Sequence, residues 1–144
     1  MAPAATAPPI SGLHHVATLV PDLAASLAWY RRVLGAVRLD HLDHHDASGE
    51  LTAVIVEIPN LGGVLQLRRS AEPLPAHYDP LTLEVRDLAA LGEWAAHLHA
   101  IGVHHSGVIV KRTGHGLEAE TPEGTILRFY TAPSGGFRAV EFQE

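Results

Sequence analysis

Apolar and polar positions alternate with two periods along this chain, and the two periods follow each other twice. "LHHVATLV" (13–20) and "PLTLEV" (80–85) alternate every second residue and are rich in β-branched side chains, which predicts strands. After the first, Leu23, Leu27, Tyr30 and Leu34 recur at helical spacing; after the second, Leu91, Trp94, Leu98 and Ile101 do the same. Asp22 and Asp87 stand where each helix starts, as carboxylates that can accept from free backbone amides, and Gly35 and Gly102 stand where each ends. Three further strands are predicted in each half, over 36–43, 51–58 and 63–69, then over 106–112, 115–121 and 125–131. The turn signals "DASGE", "NLGG", "RTGHG" and "TPEG" separate them.

The two halves are a repeat. "VPDLAASLAW" (20–29) lies over "VRDLAALGEW" (85–94), matching Val20 with Val85, Asp22 with Asp87, Leu23 with Leu88 and Trp29 with Trp94. The reading is an α+β fold of two β-α-β-β-β modules, at 12–69 and 80–132. A proline-containing linker joins them at 70–79, a disordered arm precedes them at 1–11, and a tail follows at 133–144. The tail carries Phe137, Val140 and Phe142, which can fold back on the body or cover a dimer seam. Trp29 and Trp94, at equivalent helix positions, read as core or module-interface anchors.

Strand alternation assigns faces. Val16, Thr18 and Val20 point one way with their repeat equivalents Leu81, Leu83 and Val85, and pack under the helices. His15, Ala17 and Leu19 share the other, concave side with Pro80, Thr82 and Glu84. Laying "GGVLQLRR" over "GTILRFY" matches Gln66 with Arg128, which share faces with Val64 and Arg68, and with Ile126 and Tyr130.

Composition narrows the function classes. With 144 residues, 47% of them hydrophobic, the chain can bury a sizeable core. No apolar run reaches the roughly 18 residues of a membrane span, and "MAPAATAPPISG" lacks the charged and apolar regions of a secretory signal. The absence of cysteine removes thiolate metal sites and thiol nucleophiles and makes a reducing cytoplasm the default. Sixteen acidic against ten basic side chains, nine of these arginine and one Lys111, give a net charge of −6. No basic stripe with interleaved aromatics is present, so neither nucleic acid nor membrane is expected as a partner.

"GLHHVATLVPDLAASLAWYRRVLG" (12–35), "LTLEVRDLAALGEWAAHLHAIGV" (81–103) and "TPEGTILRFY" (121–130) resemble the vicinal oxygen chelate superfamily, which includes glyoxalases, extradiol dioxygenases, fosfomycin-resistance enzymes and bleomycin-binding proteins. The resemblance spans about residues 11–132 and implies curled sheets that form a cavity, commonly in a homodimer. In metal-dependent members that cavity holds a divalent ion on His and Glu side chains from the first and last strands of the modules. Carried over, those positions are His15, Gln66, Pro80 and Arg128. Proline and a permanently charged guanidinium have no lone pair to donate. His15 and Gln66 alone make a poor divalent site, so no metal cofactor is expected; a retained ion would need these two plus Asp79 or His77 reaching in from the linker.

Arg128 has two compatible readings: a bidentate grip on a carboxylate, phosphate or enolate, or an internal ion pair with Glu84. His15 reads either as a general acid or base, since an imidazole titrates near neutrality, or as a hydrogen-bonded remnant of an ancestral metal site. His14 is expected on the opposite face, where it packs or caps. Gln66, Thr82, Glu84 and Tyr130 are the candidate ligand contacts. Strand alternation through "DHLDHHD" (40–46) would put His41, Asp43 and His45 on one face as an adventitious metal site, or leave a solvated hairpin end. "VHHSG" (103–107) and His115 are expected near turns at the surface, with His41 or His115 able to rim the cavity. The expected function is action on a small oxygenated metabolite by a metal-independent isomerase, lyase or cyclase, with His15 and Arg128 catalytic. The alternatives are a sequestering binding protein and a metal-dependent dioxygenase or lyase with displaced ligands.

Overall fold

The structure is a computed structural model that describes residues 7–75 and 77–140. Phe142 and the first six residues of the arm lie outside the described residues. Two four-to-five-stranded mixed sheets each carry one helix, and neither sheet closes on itself.

In the first sheet, β1 (His15–Val20) leads into α1 (Leu23–Leu34), followed by β2 (Val37–Arg38), β3 (His44–His45), β4 (Leu51–Glu57) and β5 (Val64–Arg69). The order is β1-β5-β4-β2 with β3 also on β4; β1 and β5 run parallel and the other pairs antiparallel. The second sheet repeats the plan: β6 (Leu81–Val85), α2 (Leu88–Ala100), β7 (Ile109–Lys111), β8 (Gly114–Glu120) and β9 (Ile126–Thr131), ordered β6-β9-β8-β7 with β6 and β9 parallel. A crossover helix is what lets two strands of each sheet run parallel.

The helices begin as their sequence predicts. Asp22 accepts from the Ala25 amide at 3.0 Å and Asp87 from the Ala90 amide at 2.9 Å, so equivalent residues of the repeat make equivalent caps. Gly35 closes α1 with φ of 66°, and Gly102, at 75°, follows the last residues of α2.

The predicted second strand, 36–43, is mostly not a strand. Only Val37 and Arg38 pair with β4. The chain then makes a 3₁₀ turn at Asp40–Leu42. Arg38 reaches forward to grip Asp43 with two bonds, Nε to Oδ1 at 3.1 Å and Nη2 to Oδ2 at 2.5 Å, which pins the chain off the sheet.

Burial alternates along β1, β6 and β9 as predicted. Val16, Thr18 and Val20, Leu81 and Val85, and Leu127, Phe129 and Thr131 turn toward the helices; His15, Ala17, Leu19, Thr82 and Glu84 are exposed. One contiguous core joins the helix-side faces of both sheets, from Val20, Tyr30 and Leu65 to Leu91, Leu117 and Phe129. Two polar links cross between the halves: Ser26 on α1 donates to the Glu123 carboxylate, and the His97 ring on α2 bonds the Val33 carbonyl at 3.1 Å. The helix sides therefore face inward together, and each sheet presents its other face outward.

Candidate functional site

Two clusters of polar side chains occupy the open faces, one on each sheet. On the second sheet the cluster centres on Arg128. Parallel register places Thr82 beside it, and antiparallel register places Glu118 on its other side, all on one face. Glu118 approaches Arg128 Nη2 at 3.7 Å and binds Lys111 Nζ at 3.1 Å. Asp79 of the linker comes within 3.1 Å of Arg128 Nε. It stands off the N–H line, however, so the donor has no hydrogen-bond acceptor. The linker is held there because the Ile126 amide donates to the Tyr78 carbonyl at 2.8 Å.

Arg128 Nη1 donates to the Tyr130 hydroxyl at 3.3 Å, and Lys111 Nζ lies 5.9 Å from the centre of the Tyr130 ring. Tyr130 can lie flat across β8 because residue 116 is glycine. A Cβ there would sit 2.9 Å from Tyr130 Cε1 and 2.9 Å from Lys111 Cγ. Burial disfavours the charged guanidinium of Arg128, but the Tyr130 hydrogen bond and the Asp79 and Glu118 carboxylates outweigh it and raise its pKa above the ordinary arginine value.

The expected pair between Arg128 and Glu84 is not formed. The register sets Glu84 beside Tyr130, two residues further along β9, and the nearer acids Asp79 and Glu118 take the guanidinium. Glu84 instead lines a cavity of about 460 Å³ between the halves of the chain. Asp79 appeared in the sequence only as a substitute metal ligand. Glu118 and Lys111 gave no local signal, though the register of β8 on β9 carries Glu118 and that of β7 on β8 carries Lys111.

On the first sheet, His15 is exposed at the start of β1, and its Nδ1 lies 2.9 Å from Nδ1 of His14. His14 was expected to point away. It precedes the first ladder residue of β1, so strand alternation does not govern it, and its ring turns edge-on to that of His15. Backbone contact fixes this corner. The Val64 amide bonds the His14 carbonyl, and Gly63 passes so close that a Cβ would meet that carbonyl oxygen at 2.8 Å.

Gln66 is on the open face as predicted but is almost fully buried. Its amide nitrogen contacts His44 Nδ1 at 3.3 Å, and its oxygen accepts from Arg68 at 3.4 Å. The "DHLDHHD" cluster is dispersed rather than aligned. Asp43 binds Arg38, Asp46 accepts from Ser48 and the Glu50 amide to close a turn, and His44 joins Gln66. His115 is the second residue of β8, within the strand predicted over 115–121 and just after the β7–β8 turn; it is half-buried, and its backbone amide donates to Thr131 Oγ1. His77, His104 and His105 meet Glu118 and Glu120 around a second cavity of about 280 Å³, which the reading of 103–107 as plain surface missed.

The sequence profile of the Glyoxalase/Bleomycin resistance protein/Dioxygenase superfamily matches residues 12–129. The chain belongs to this superfamily. Glyoxalase-superfamily structures share its fold. Lactoylglutathione lyase from Agrobacterium tumefaciens is 19% identical with a TM-score of 0.67, covering 90% of this chain and 100% of that one. The antibiotic-binding protein TnmS3 from Streptomyces sp. CB03234 is 20% identical with a TM-score of 0.66, over 85% and 96% of the two chains. A mutant of the fosfomycin resistance protein FosX from Listeria monocytogenes, complexed with Mn(II) and 1S,2S-dihydroxypropylphosphonic acid, is 17% identical with a TM-score of 0.64, over 83% and 91%. At these identities the likeness is one of fold. No curated protein shows significant sequence similarity to the chain.

The FosX complex holds Mn(II), and the positions of this chain that would hold a divalent ion do not fit one. Of His15, Gln66, Pro80 and Arg128, only the imidazole is a strong donor; Gln66 is committed to His44 and Arg68, and Arg128 brings a positive charge already bound to two acids. Among the described residues, no group of three or more His, Asp or Glu side chains is placed to hold an ion.

Proposed function

We propose that this glyoxalase-superfamily chain binds a small oxygenated organic molecule on its open sheet faces without a divalent ion. The open faces point away from the shared core, so one molecule meets both clusters across the seam of a homodimer; there the protein acts as an isomerase, lyase or cyclase, with Arg128 and Tyr130 of one protomer orienting an anionic or carbonyl oxygen and His15 of the partner subunit transferring a proton. The observation that carries this reading is the replacement of a carboxylate ligand by Arg128, held between the Asp79 and Glu118 carboxylates and hydrogen-bonded to Tyr130. A guanidinium so held presents fixed donors to an oxygen. The Nδ1 contact with His14 leaves His15 Nε2 for a ligand. Thr82 and Glu84 are exposed on the same face of β6 and complete the ligand wall.

The protein acts as a cytoplasmic homodimer in this reading. Support comes from the bare sheet faces and from apolar side chains exposed beside them, Leu13 at 54%, Leu19 at 37% and Val37 at 60%. A second reading, sequestration without turnover, is favoured by one feature: Asp79 and Glu118 neutralise much of the Arg128 field that would stabilise a developing anion. The two readings part on His15→Ala, which abolishes turnover of a co-purifying molecule in the first and leaves its binding nearly intact in the second. Stoichiometric metal in untagged protein overturns both.

A further inference from the structure

The cavity of about 460 Å³ lies on the helix side of the molecule, away from Arg128 and His15. One wall is the β4–β5 turn of the first half, with Ile58 and Leu61; the other is the outermost strand of the second sheet and the start of α2, with Leu83 and Ala90. Its floor is aromatic: Trp94 stacks on the buried Phe129 ring with centroids 4.7 Å apart and planes 26° from parallel. Trp94, Leu83 and Leu61 are only partly buried, so apolar surface in the cavity meets solvent.

We infer that this cavity is a second binding site, for a small aromatic or apolar molecule that carries an ammonium group. Its size and apolar lining suit an organic ligand of modest size. Charge selects the sign. Glu84 belongs to the edge strand of its sheet, where the open face meets the helix side; it lines the cavity, and no ion pair or hydrogen bond engages it among the described residues. The cation at the same rim, Arg86, is paired with Asp87 at 3.6 Å. The net charge of −6 adds a weak bias in the same direction. An ammonium near the Trp94 face gains a cation–π contact as well.

The test uses the indole N–H signals of Trp94 and Trp29 in ¹⁵N-labelled full-length protein, with 4-phenylbutylamine and 4-phenylbutyrate as probes. Trp29 is buried in α1 and serves as the internal control. The amine is expected to shift the Trp94 signal saturably and leave Trp29 unmoved. The acid should bind at least about fivefold more weakly, the scale of one attractive and one repulsive rim contact. Glu84→Gln should erase that preference, and Ala90→Phe should fill the cavity and abolish the shift. An unmoved Trp94, equal affinity for amine and acid in the unsubstituted protein, or undiminished binding to folded Ala90→Phe overturns the proposal. Glu84 is exposed, so its variant folds and decides the matter even where Ala90→Phe does not.

Discussion

Substituting Arg128 by glutamate tests the electrostatics of the open face directly. The substitution restores a carboxylate at a position where the superfamily resemblance expects one, and sets it between Asp79 and Glu118. The exposures of Glu118 and Asp79, 26% and 43%, put these charges nearer the aqueous limit than the dry one. Each like-charge pair then costs about 1 kcal/mol. Losing the arginine contacts costs about 1 kcal/mol more, and Lys111, still on Glu118, offsets part of the total. The net loss is about 2–3 kcal/mol, which for a chain of this size lowers Tm by roughly 6–10 °C. Arg128→Gln removes the attraction without adding repulsion and should lose only about a third as much. Thermal melts in EDTA separate the two variants. Adding Mn²⁺ or Zn²⁺ should then recover Arg128→Glu, by about 2.7 kcal/mol at a hundredfold excess over Kd, and leave the unsubstituted protein unchanged. Equal melting of the Glu and Gln variants in EDTA, or metal stabilisation of the unsubstituted protein, would show that Arg128 does not sit in a field of two carboxylates that excludes a cation-binding site.

Gly116→Ala forces its new methyl against Tyr130 and Lys111. Overpacking of about 1–3 kcal/mol is partly offset by the smaller freedom of the unfolded chain; Tm should fall by a few degrees while affinity at the open face falls more, and unchanged affinity would deny Tyr130 a role. Burial, and then the Glu123 carboxylate, push the Tyr30 phenol above its ordinary pKa. Its contribution to stability is therefore complete below pH about 10 and is lost above it, as the unfolded chain ionises first; denaturant melts of Tyr30→Phe should show a flatter alkaline limb. Asp22→Ala and Asp87→Ala should each cost about 1 kcal/mol and add in the double variant, since the caps share no partner; strong non-additivity in urea melts would contradict independent caps.

Local chemistry, and with it much of the fold, is legible along the chain. Two-residue alternation in "LHHVATLV" and "TILRFY" set which side chains turn to the core. The repeated aspartates set both helix starts, and the repeat announced two similar sheets. The superfamily profile over 12–129 agrees with that reading. Which side chains meet is settled by folding. Arg128 is answered by an acid from the linker and one from a neighbouring strand rather than by Glu84, because the register sets Glu84 two residues further along, beside Tyr130. The strand predicted at 36–43 yields after two residues to the Arg38–Asp43 grip, a contact between side chains whose strength no periodicity carries. His14 turns to His15 because it stands just before the ladder that would have pointed it away. Periodicity encodes the face on which a side chain lies; the distance between two charges is set by how strands slide and curl against one another, and that is a property of the folded chain.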